Sequence, residues 1–221
     1  MFEQLSTLQL IWVMGIPIIL AITVHEVAHG WVAKQFGDPT ADRAGRLTLN
    51  PFKHVDPVGT ILIPAALVLA KTGFLFGWAK PVPVAFNRLG NPKRDMALVA
   101  AAGPGINLVM AIGWGVFLKL VFAYAGYSGA GADIKPFLYM AEVGIQINLV
   151  LMLLNLLPIP PLDGGRVLAG LLPDRAATLL GRIEPFGLII MIVLLATGVL
   201  AGILGPLIGF TTKFIFALLG L

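Results

Sequence analysis

Long apolar stretches dominate the chain, and short polar connections separate them. Five of these stretches reach membrane-relevant lengths, at residues 8–36, 58–72, 96–124, 139–161 and 185–220, and the last is long enough for two passes. Hydrophobic residues make up 58% of the chain and charged residues only 12%, far from the balance of a soluble domain. The pattern predicts an all-α polytopic membrane protein with about five or six membrane-inserted segments.

Two polar connections are large enough to have structure of their own. Residues 37–57 and 73–95 are rich in Gly and Pro, and hydrophobicity alternates at 46–49 and 82–86. Alternation is typical of short strands, and irregular backbone at a membrane must be covered by protein or line a water-filled cavity. We therefore predict a small strand-containing re-entrant region at the entrance of a site.

The strongest chemical signal is the run His25-Glu26-Val27-Ala28-His29, near the end of the first apolar stretch. Residues four apart share one face of a helix, so both imidazoles can bind one zinc ion while Glu26 acts on a water molecule. Ionisable groups cost roughly 2.5–3.5 kcal/mol each inside a membrane segment, which favours a functional role. The alternative is a helix end whose polar groups reach the interface.

A catalytic zinc site with three protein ligands needs one more donor. The chain has no cysteine, so the donor must be a histidine or a carboxylate. Asp163 lies in the run NLLPIPPLDGG (155–165), where prolines end a helix and glycines free the backbone. This context favours Asp163, although an Asp-Gly-Gly turn would explain the run equally well by itself. The other acids that could serve are Asp56, Asp95 and Glu142.

Three motifs together resemble the site-2 protease family of intramembrane zinc metalloproteases. They are HEVAH, AAGPGIN at 101–107 and NLLPIPPLDGG, and the segments LNPFKHVDPVG and FGWAKPVPV are similar to the compact prokaryotic branch. The resemblance covers most of the chain. It implies one zinc ion per chain, held by His25, His29 and Asp163, with Glu26 as catalytic base and Asn155 near the substrate or the oxyanion.

The same resemblance implies a reaction and a domain organisation. The expected reaction is hydrolysis of peptide bonds in or near the transmembrane segments of single-span membrane proteins, within the lipid bilayer. Family members often add a PDZ or a CBS domain, but the connection at 125–138 is too short for one and the chain stops at Leu221. We expect a single membrane-embedded metalloprotease domain over residues 1–221.

Topology gives an independent test of this site. If residues 58–72 crossed the membrane, Asp163 would end on the face opposite the histidine pair. That stretch is short, contains Pro64 and lies between clusters of basic residues, so we expect a re-entrant or interfacial segment with cytoplasmic flanks. The protein would be a multi-pass cell-membrane protein with its N-terminus outside and its active site toward the cytoplasmic half.

Two other functions remain open at this point. The run GYSG at 126–129 resembles the nucleophile turn of a rhomboid-like serine protease, but a Gly-rich polar loop is more typical of an ordinary turn. A non-catalytic zinc-binding membrane protein or metal transporter would use the same ligands without needing Glu26 as a base. The net charge of +4 does not indicate nucleic acid binding, because the basic residues are scattered through short loops.

A few polar residues allow two interpretations. Asn107 either reaches the site or only accompanies close helix packing. For Glu142, Gln146 and Asn148, interhelical hydrogen bonding is favoured over proton transfer. His54 is most simply a solvated loop histidine, with a gating or accessory metal role as the alternative. The identity of the substrate and the oligomeric state cannot be read from these residues.

Overall fold

The computed structural model describes residues 5–72, 77–128 and 134–221, apart from the side chains of Val68, Tyr127 and Ser128. Nine α-helices follow one another in these ranges. They are α1 (Thr7–Gln35), α2 (Thr40–Arg43), α3 (Ile63–Leu69), α4 (Pro92–Ser128), α5 (Lys135–Asn155), α6 (Asp163–Leu171), α7 (Asp174–Gly181), α8 (Gly187–Ala196) and α9 (Val199–Leu219). Short 3-10 turns lie at Pro51–Lys53, Phe86–Arg88 and Glu184–Phe186, and a π-helical turn at Pro57–Leu62 precedes α3.

Five helical segments in the described ranges are long and apolar enough to cross a membrane. They are Thr7–Gln35, Pro92–Gly126, Lys135–Asn155, Asp174–Ala196 and Val199–Leu219. Four of the five predicted apolar stretches coincide with these segments, and the last stretch, 185–220, covers Val199–Leu219 and the apolar second half of Asp174–Ala196. The chain is therefore a multi-pass membrane protein.

The apolar helix at Pro57–Leu67 is shorter than the five spanning helices. Its length is insufficient to cross a bilayer, so the prediction that this stretch is no simple span is confirmed. Its re-entrant or interfacial placement stays a prediction.

Helices α1, α4 and α5 pack against one another, and α9 packs on α5. Their shared core contains fully buried Ala111 of α4, Leu149 of α5 and Ile215 of α9. At Gly144 a side-chain carbon would come within 2.2 Å of the Trp114 ring, so only glycine allows α5 and α4 to approach this closely. The contact among α1, α4 and α5 positions the candidate site.

The described residues form no β-strand, so the predicted strands at 46–49 and 82–86 are wrong. We call residues 77–85 the covering segment, and they have no regular structure. Pro81 and Pro83 interrupt it, and proline has no N–H to donate to a sheet. The alternation of apolar residues is present, but Pro81 and Pro83 have no N–H, and the N–H groups of Val82 and Ala85 donate to side chains rather than to a neighbouring strand.

Side chains from elsewhere in the chain hold the covering segment in place. The Val82 N–H donates to Glu26 Oε2 at 2.8 Å, and the Ala85 N–H donates to Asp38 Oδ2 at 2.6 Å. Arg46 Nη2 donates to the carbonyl of Lys80 at 2.8 Å. The segment is therefore attached at separate points by side chains rather than by a continuous backbone ladder.

Asp38, just beyond α1, is fully buried and anchors the end of this segment. Burial opposes ionisation of its carboxyl group, but hydrogen bonds from Thr40 and Ala85 outweigh that effect and lower the pKa of Asp38 below its ordinary value of 3.8. The carboxylate is thus the form that the fold stabilises.

Candidate metal centre

His25 and His29 lie one turn apart on α1 and face α4. Their rings meet edge to face with centroids 4.7 Å apart, and their Nε2 atoms are 3.1 Å apart. The α4 backbone lies directly against them at Gly103, where a side-chain carbon would be 2.4 Å from His29 Nε2 and 2.5 Å from His25 Cε1. Glycine at this position is what lets two imidazoles fit between the helices.

Asp163 reaches the histidines because the chain reverses tightly after α5. Added side-chain carbons at Gly164 and Gly165 would lie 2.3 Å from the Leu156 carbonyl oxygen and 2.6 Å from the Pro160 nitrogen, so the turn packs against its own backbone. Asp163 is the first residue of α6. Its Oδ2 atom lies 3.2 Å from His25 Nε2 and 3.3 Å from His29 Nε2.

Hydrogen bonds on the far side of each imidazole fix which nitrogen carries the proton. Asn107 Nδ2 donates to Asn148 Oδ1 at 2.8 Å and to the Ala21 carbonyl at 3.3 Å, so its Oδ1 faces His25 Nδ1 at 2.5 Å as an acceptor. His25 must then donate from Nδ1. His29 Nδ1 likewise donates to the Val99 carbonyl at 2.7 Å.

The neutral form of each imidazole consequently turns an unprotonated Nε2 toward Asp163. Oδ2 of Asp163 is buried and accepts no hydrogen bond from any described residue, although both Nε2 atoms are at ion-pair distance. Three lone-pair atoms that converge in a buried site lack a partner unless a cation lies between them. Among the described residues, these three form the one group of His, Asp or Glu side chains with that clustering.

The spacing of the three atoms fits zinc. A tetrahedral zinc ion with bonds of roughly 2.0–2.1 Å separates its ligand atoms by about 3.3–3.4 Å. The observed separations are 3.1, 3.2 and 3.3 Å, which leaves the fourth vertex of such a tetrahedron free. The donor set also fits, since two imidazoles and one carboxylate are ligands of catalytic zinc.

Glu26 lies beside the three atoms in a cavity of about 270 Å³. The half-buried Glu26 carboxylate accepts the Val82 N–H through Oε2. Trp78 and Val82 of the covering segment line the cavity, as do Asn155 and Arg166. A carboxylate, a candidate ion site and a cavity are therefore adjacent.

The profile of peptidase family M50 matches residues 123–198, a range that includes Asp163 but not the histidine pair. The chain is 42% identical to YwhC of Bacillus subtilis over 193 residues, which cover 87% of this chain and 84% of YwhC. The chain belongs to peptidase family M50.

Other relatives of this M50 chain are mycobacterial. Rip2 of Mycolicibacterium smegmatis is 31% identical over 180 residues, 81% of this chain and 64% of Rip2. Rip3 of Mycobacterium tuberculosis strain H37Rv is 28% identical over 219 residues, 93% of this chain and 46% of Rip3. YwhC, Rip2 and Rip3 are provisionally named zinc metalloproteases. No solved structure matches the chain.

Membership of M50 confirms the resemblance to the site-2 proteases and the predicted class of zinc-dependent protease. The structure brings together all five predicted site residues, since Asn155 lines the same cavity as Glu26 and the three candidate ligands. One N–H of the Asn155 amide is already used, because Nδ2 donates to the Leu151 carbonyl at 3.0 Å. The serine of the rhomboid-like alternative cannot be compared, because Gly129 and the side chain of Ser128 lie outside the described residues.

The other candidate acids do not reach this M50 site. Asp56 caps the helical turn that follows it, and Asp95 accepts the Asn91 N–H. Glu142 lies on α5 with one carboxylate oxygen buried and without a hydrogen bond, so the predicted interhelical bond is not formed there. His54 is buried rather than solvated, and its Nε2 is hydrogen-bonded to the Thr48 carbonyl at 2.9 Å.

Two supporting groups were missed or left open by the sequence. Asn107 does reach the site, but it contacts His25 rather than the cavity, and Asn148 forms the predicted interhelical hydrogen bond to it. The Val82 N–H on Glu26 was not predicted at all. A backbone N–H is present at almost every residue, so the sequence does not indicate which one binds a side chain. An asparagine in an apolar helix is unusual, so Asn107, four residues after Gly103, could be recognised from the sequence.

Proposed function

We propose that the chain is an intramembrane zinc endopeptidase that hydrolyses peptide bonds in or near the transmembrane segments of single-span membrane proteins. Residues 1–221 would act as one membrane-embedded metalloprotease domain. The observation that carries the proposal is the triangle of His25 Nε2, His29 Nε2 and Asp163 Oδ2, with sides of 3.1–3.3 Å, beside the Glu26 carboxylate. Membership of M50 and the spanning helices support the same conclusion.

Each site residue has a chemical role in this proposal. His25, His29 and Asp163 hold zinc, which when bound supplies Lewis acidity to a carbonyl and acidifies water. Glu26 takes a proton from the attacking water and delivers it to the leaving amine. Asn107 keeps the His25 ring in the orientation and tautomer that a ligand needs.

The walls of the cavity suggest how a peptide would lie. Among the described residues, the backbone N–H and carbonyl of Val84 have no hydrogen-bond partner, and Val84 lines the cavity. A substrate segment that has unwound from its helix needs partners for its own amides inside the membrane. Pairing with Val84 would supply two of them, and Asn155 would contact the substrate or the oxyanion from the opposite side.

The orientation of the protein is also part of the proposal. Arg43, Arg46 and Lys53 precede the short apolar helix, and Lys80 and Arg88 follow it. Positive residues in short loops favour the cytoplasmic side. The cavity would then open toward the cytoplasmic half of the membrane.

The deciding experiment replaces Glu26 by glutamine in the purified full-length chain. Glu26→Gln keeps the three ligands, so bound zinc measured by mass spectrometry should stay near one ion per chain. Cleavage of a library of single-span membrane proteins in liposomes should fall roughly 10²–10⁴-fold, the usual contribution of a general base. Glu184→Gln, an exposed glutamate in the turn before α8, is the matched control and should cleave like the parent chain.

Two results would overturn this assignment. One is full cleavage by Glu26→Gln with zinc retained, which would mean that Glu26 is not the base. The other is loss of activity with a serine-reactive fluorophosphonate but not with a zinc chelator, which would favour the rhomboid-like alternative. A zinc-binding scaffold or transporter would bind the metal and show no Glu26-dependent cleavage.

A further inference from the structure

A second cleft lies on the other side of the covering segment. Val82 and Val84 line the catalytic cavity, whereas Lys80 and Pro83 line this cleft of about 400 Å³. Its remaining walls come from the connection after α2 and include Arg46, Phe52 and Lys53. The cleft thus shares a wall with the catalytic cavity but contains different chemistry.

Three cationic side chains line this cleft without an acidic partner. Arg46, Lys53 and Lys80 contribute the charges, and no described carboxylate forms an ion pair with any of them; the described ion pairs between Lys and Asp join other residues. A buried guanidinium is normally paired with an acid, because an uncompensated buried charge is strongly destabilising. The cleft therefore offers unpaired positive charge to an anion.

Arg46 gives the strongest indication. It is only 8% exposed, Nη2 donates to the Lys80 carbonyl at 2.8 Å, and among the described residues its buried Nε has no hydrogen-bond partner. Because Nε is shielded, Arg46 contributes chiefly its positive charge at the wall of the cleft, and a guanidinium is a preferred partner of phosphate. Lys53 and Lys80 are exposed and add the flexible point charges typical of phosphate sites.

Apolar residues beside the cleft indicate where the anion comes from. Phe52 is 84% exposed and Leu49 is 62% exposed, in the same short connection as Arg46 and Lys53. Exposed aromatic and aliphatic side chains next to basic ones are typical of surfaces that insert into the headgroup region of a membrane. We infer that this cleft binds the phosphate group of an anionic phospholipid, with Phe52 among the acyl chains.

A lipid bound in this cleft would be connected to the catalytic site through the covering segment. Arg46 contacts the carbonyls of Lys80 and Pro81, and the next residue, Val82, donates to Glu26. A headgroup held by Arg46 and Lys80 would fix the covering segment close to the catalytic base. Lipid binding itself does not depend on the proposed protease function, and only its effect on cleavage does.

The test measures lipid binding directly on the purified full-length chain by native mass spectrometry. The probes are phosphatidylglycerol, phosphatidylcholine of the same acyl composition, and inorganic phosphate as competitor. Lys53→Gln/Lys80→Gln removes two exposed charges from the cleft. Arg175→Gln/Arg182→Gln removes two exposed charges near α7 and is the matched control.

The parent chain should bind phosphatidylglycerol in preference to phosphatidylcholine. Lys53→Gln/Lys80→Gln should weaken phosphatidylglycerol binding by roughly 25-fold, about fivefold per lysine, and Lys53→Gln alone by about fivefold. The control pair should change it less than twofold. Far-ultraviolet circular dichroism should show native helicity in every variant, because the replaced side chains are exposed.

Three results would overturn the inference. The first is an absence of preference for the anionic lipid. The second is an equal loss in the cleft pair and the control pair, which would mean that total charge alone attracts the lipid. The third is displacement of phosphatidylglycerol by an equal concentration of inorganic phosphate, which would identify a site for free phosphate.

Discussion

The helical core around the candidate metal centre and the connection between α1 and α4 stabilise their polar groups by different means. In the core, Asn107 and Asn148 are fully buried and bond to each other across α4 and α5. In the connection, amides of the covering segment depend on the side chains of Glu26 and Asp38. The core therefore holds the candidate ligands through buried bonds between helices, while the connection is held by a few separate side-chain attachments.

The largest effect should come from removing the ligand that joins α6 to the core. Asp163→Ala leaves the two Nε2 atoms without the carboxylate, so bound zinc should be lost and cleavage should fall to the level of the metal-free chain. Metal content by mass spectrometry and cleavage in liposomes measure both effects. Asp174→Ala, an exposed aspartate of α7, should keep its zinc, and stoichiometric zinc in Asp163→Ala would refute the assigned ligand set.

Filling the space under the imidazoles should have the next largest effect. In Gly103→Ala the added carbon would meet both histidine rings. We therefore expect zinc affinity to fall by about 100-fold or more, because displaced ligands bind a metal ion weakly. Gly105→Ala, two residues along α4, faces open space and is the matched control. Equal zinc affinity in the two variants would show that Gly103 serves helix packing alone.

The Asn107 support should have a smaller effect on metal binding. Asn107→Leu removes the acceptor for His25 Nδ1, and loss of such a partner typically costs 10–100-fold in metal affinity. Asn107→Asp keeps an acceptor oxygen and should retain more of that affinity. Competition with a zinc-binding dye measures the series, and an Asn107→Leu chain that binds zinc like the parent would contradict the assigned positioning role.

The smallest effect should appear in the connection, as a change in stability that depends on pH. Asp38→Asn weakens the attachment of Thr40 and Ala85, so thermal unfolding at pH 7 should show a loss of about 1–3 kcal/mol. The carboxylate pKa is lowered in the fold, so its stabilisation is present above the ordinary value of 3.8 and disappears as the pH falls through the lowered pKa. The difference between parent and variant should narrow below about pH 4.

The exposed Asp42, which pairs with Lys34 at the surface, provides the control for that experiment. Asp42→Asn should cost less than about 1 kcal/mol, as exposed ion pairs do. A difference between parent and Asp38→Asn that stays constant from pH 7 to pH 3 would show that the charge of Asp38 is not what holds the connection.

The same contrast explains what the sequence could predict. His25 and His29 were assignable because the 3.6-residue period of a helix puts them on one face, and Asp163 because prolines and glycines mark a reversal after α5. The connection obeys no comparable period. Pro81 and Pro83 have no N–H, and the N–H groups of Val82 and Ala85 donate to the distant side chains of Glu26 and Asp38. The structure of this segment therefore depends on contacts that no local pattern predicts.

Gly103 also has a consequence for the direction from which a peptide arrives. The bare backbone of α4 is pressed against the two imidazoles, and their far nitrogens are bound to Asn107 and to the Val99 carbonyl. The described residues therefore close that flank of the imidazoles. Under the proposed function, a peptide would approach from the side lined by Trp78 and Val82.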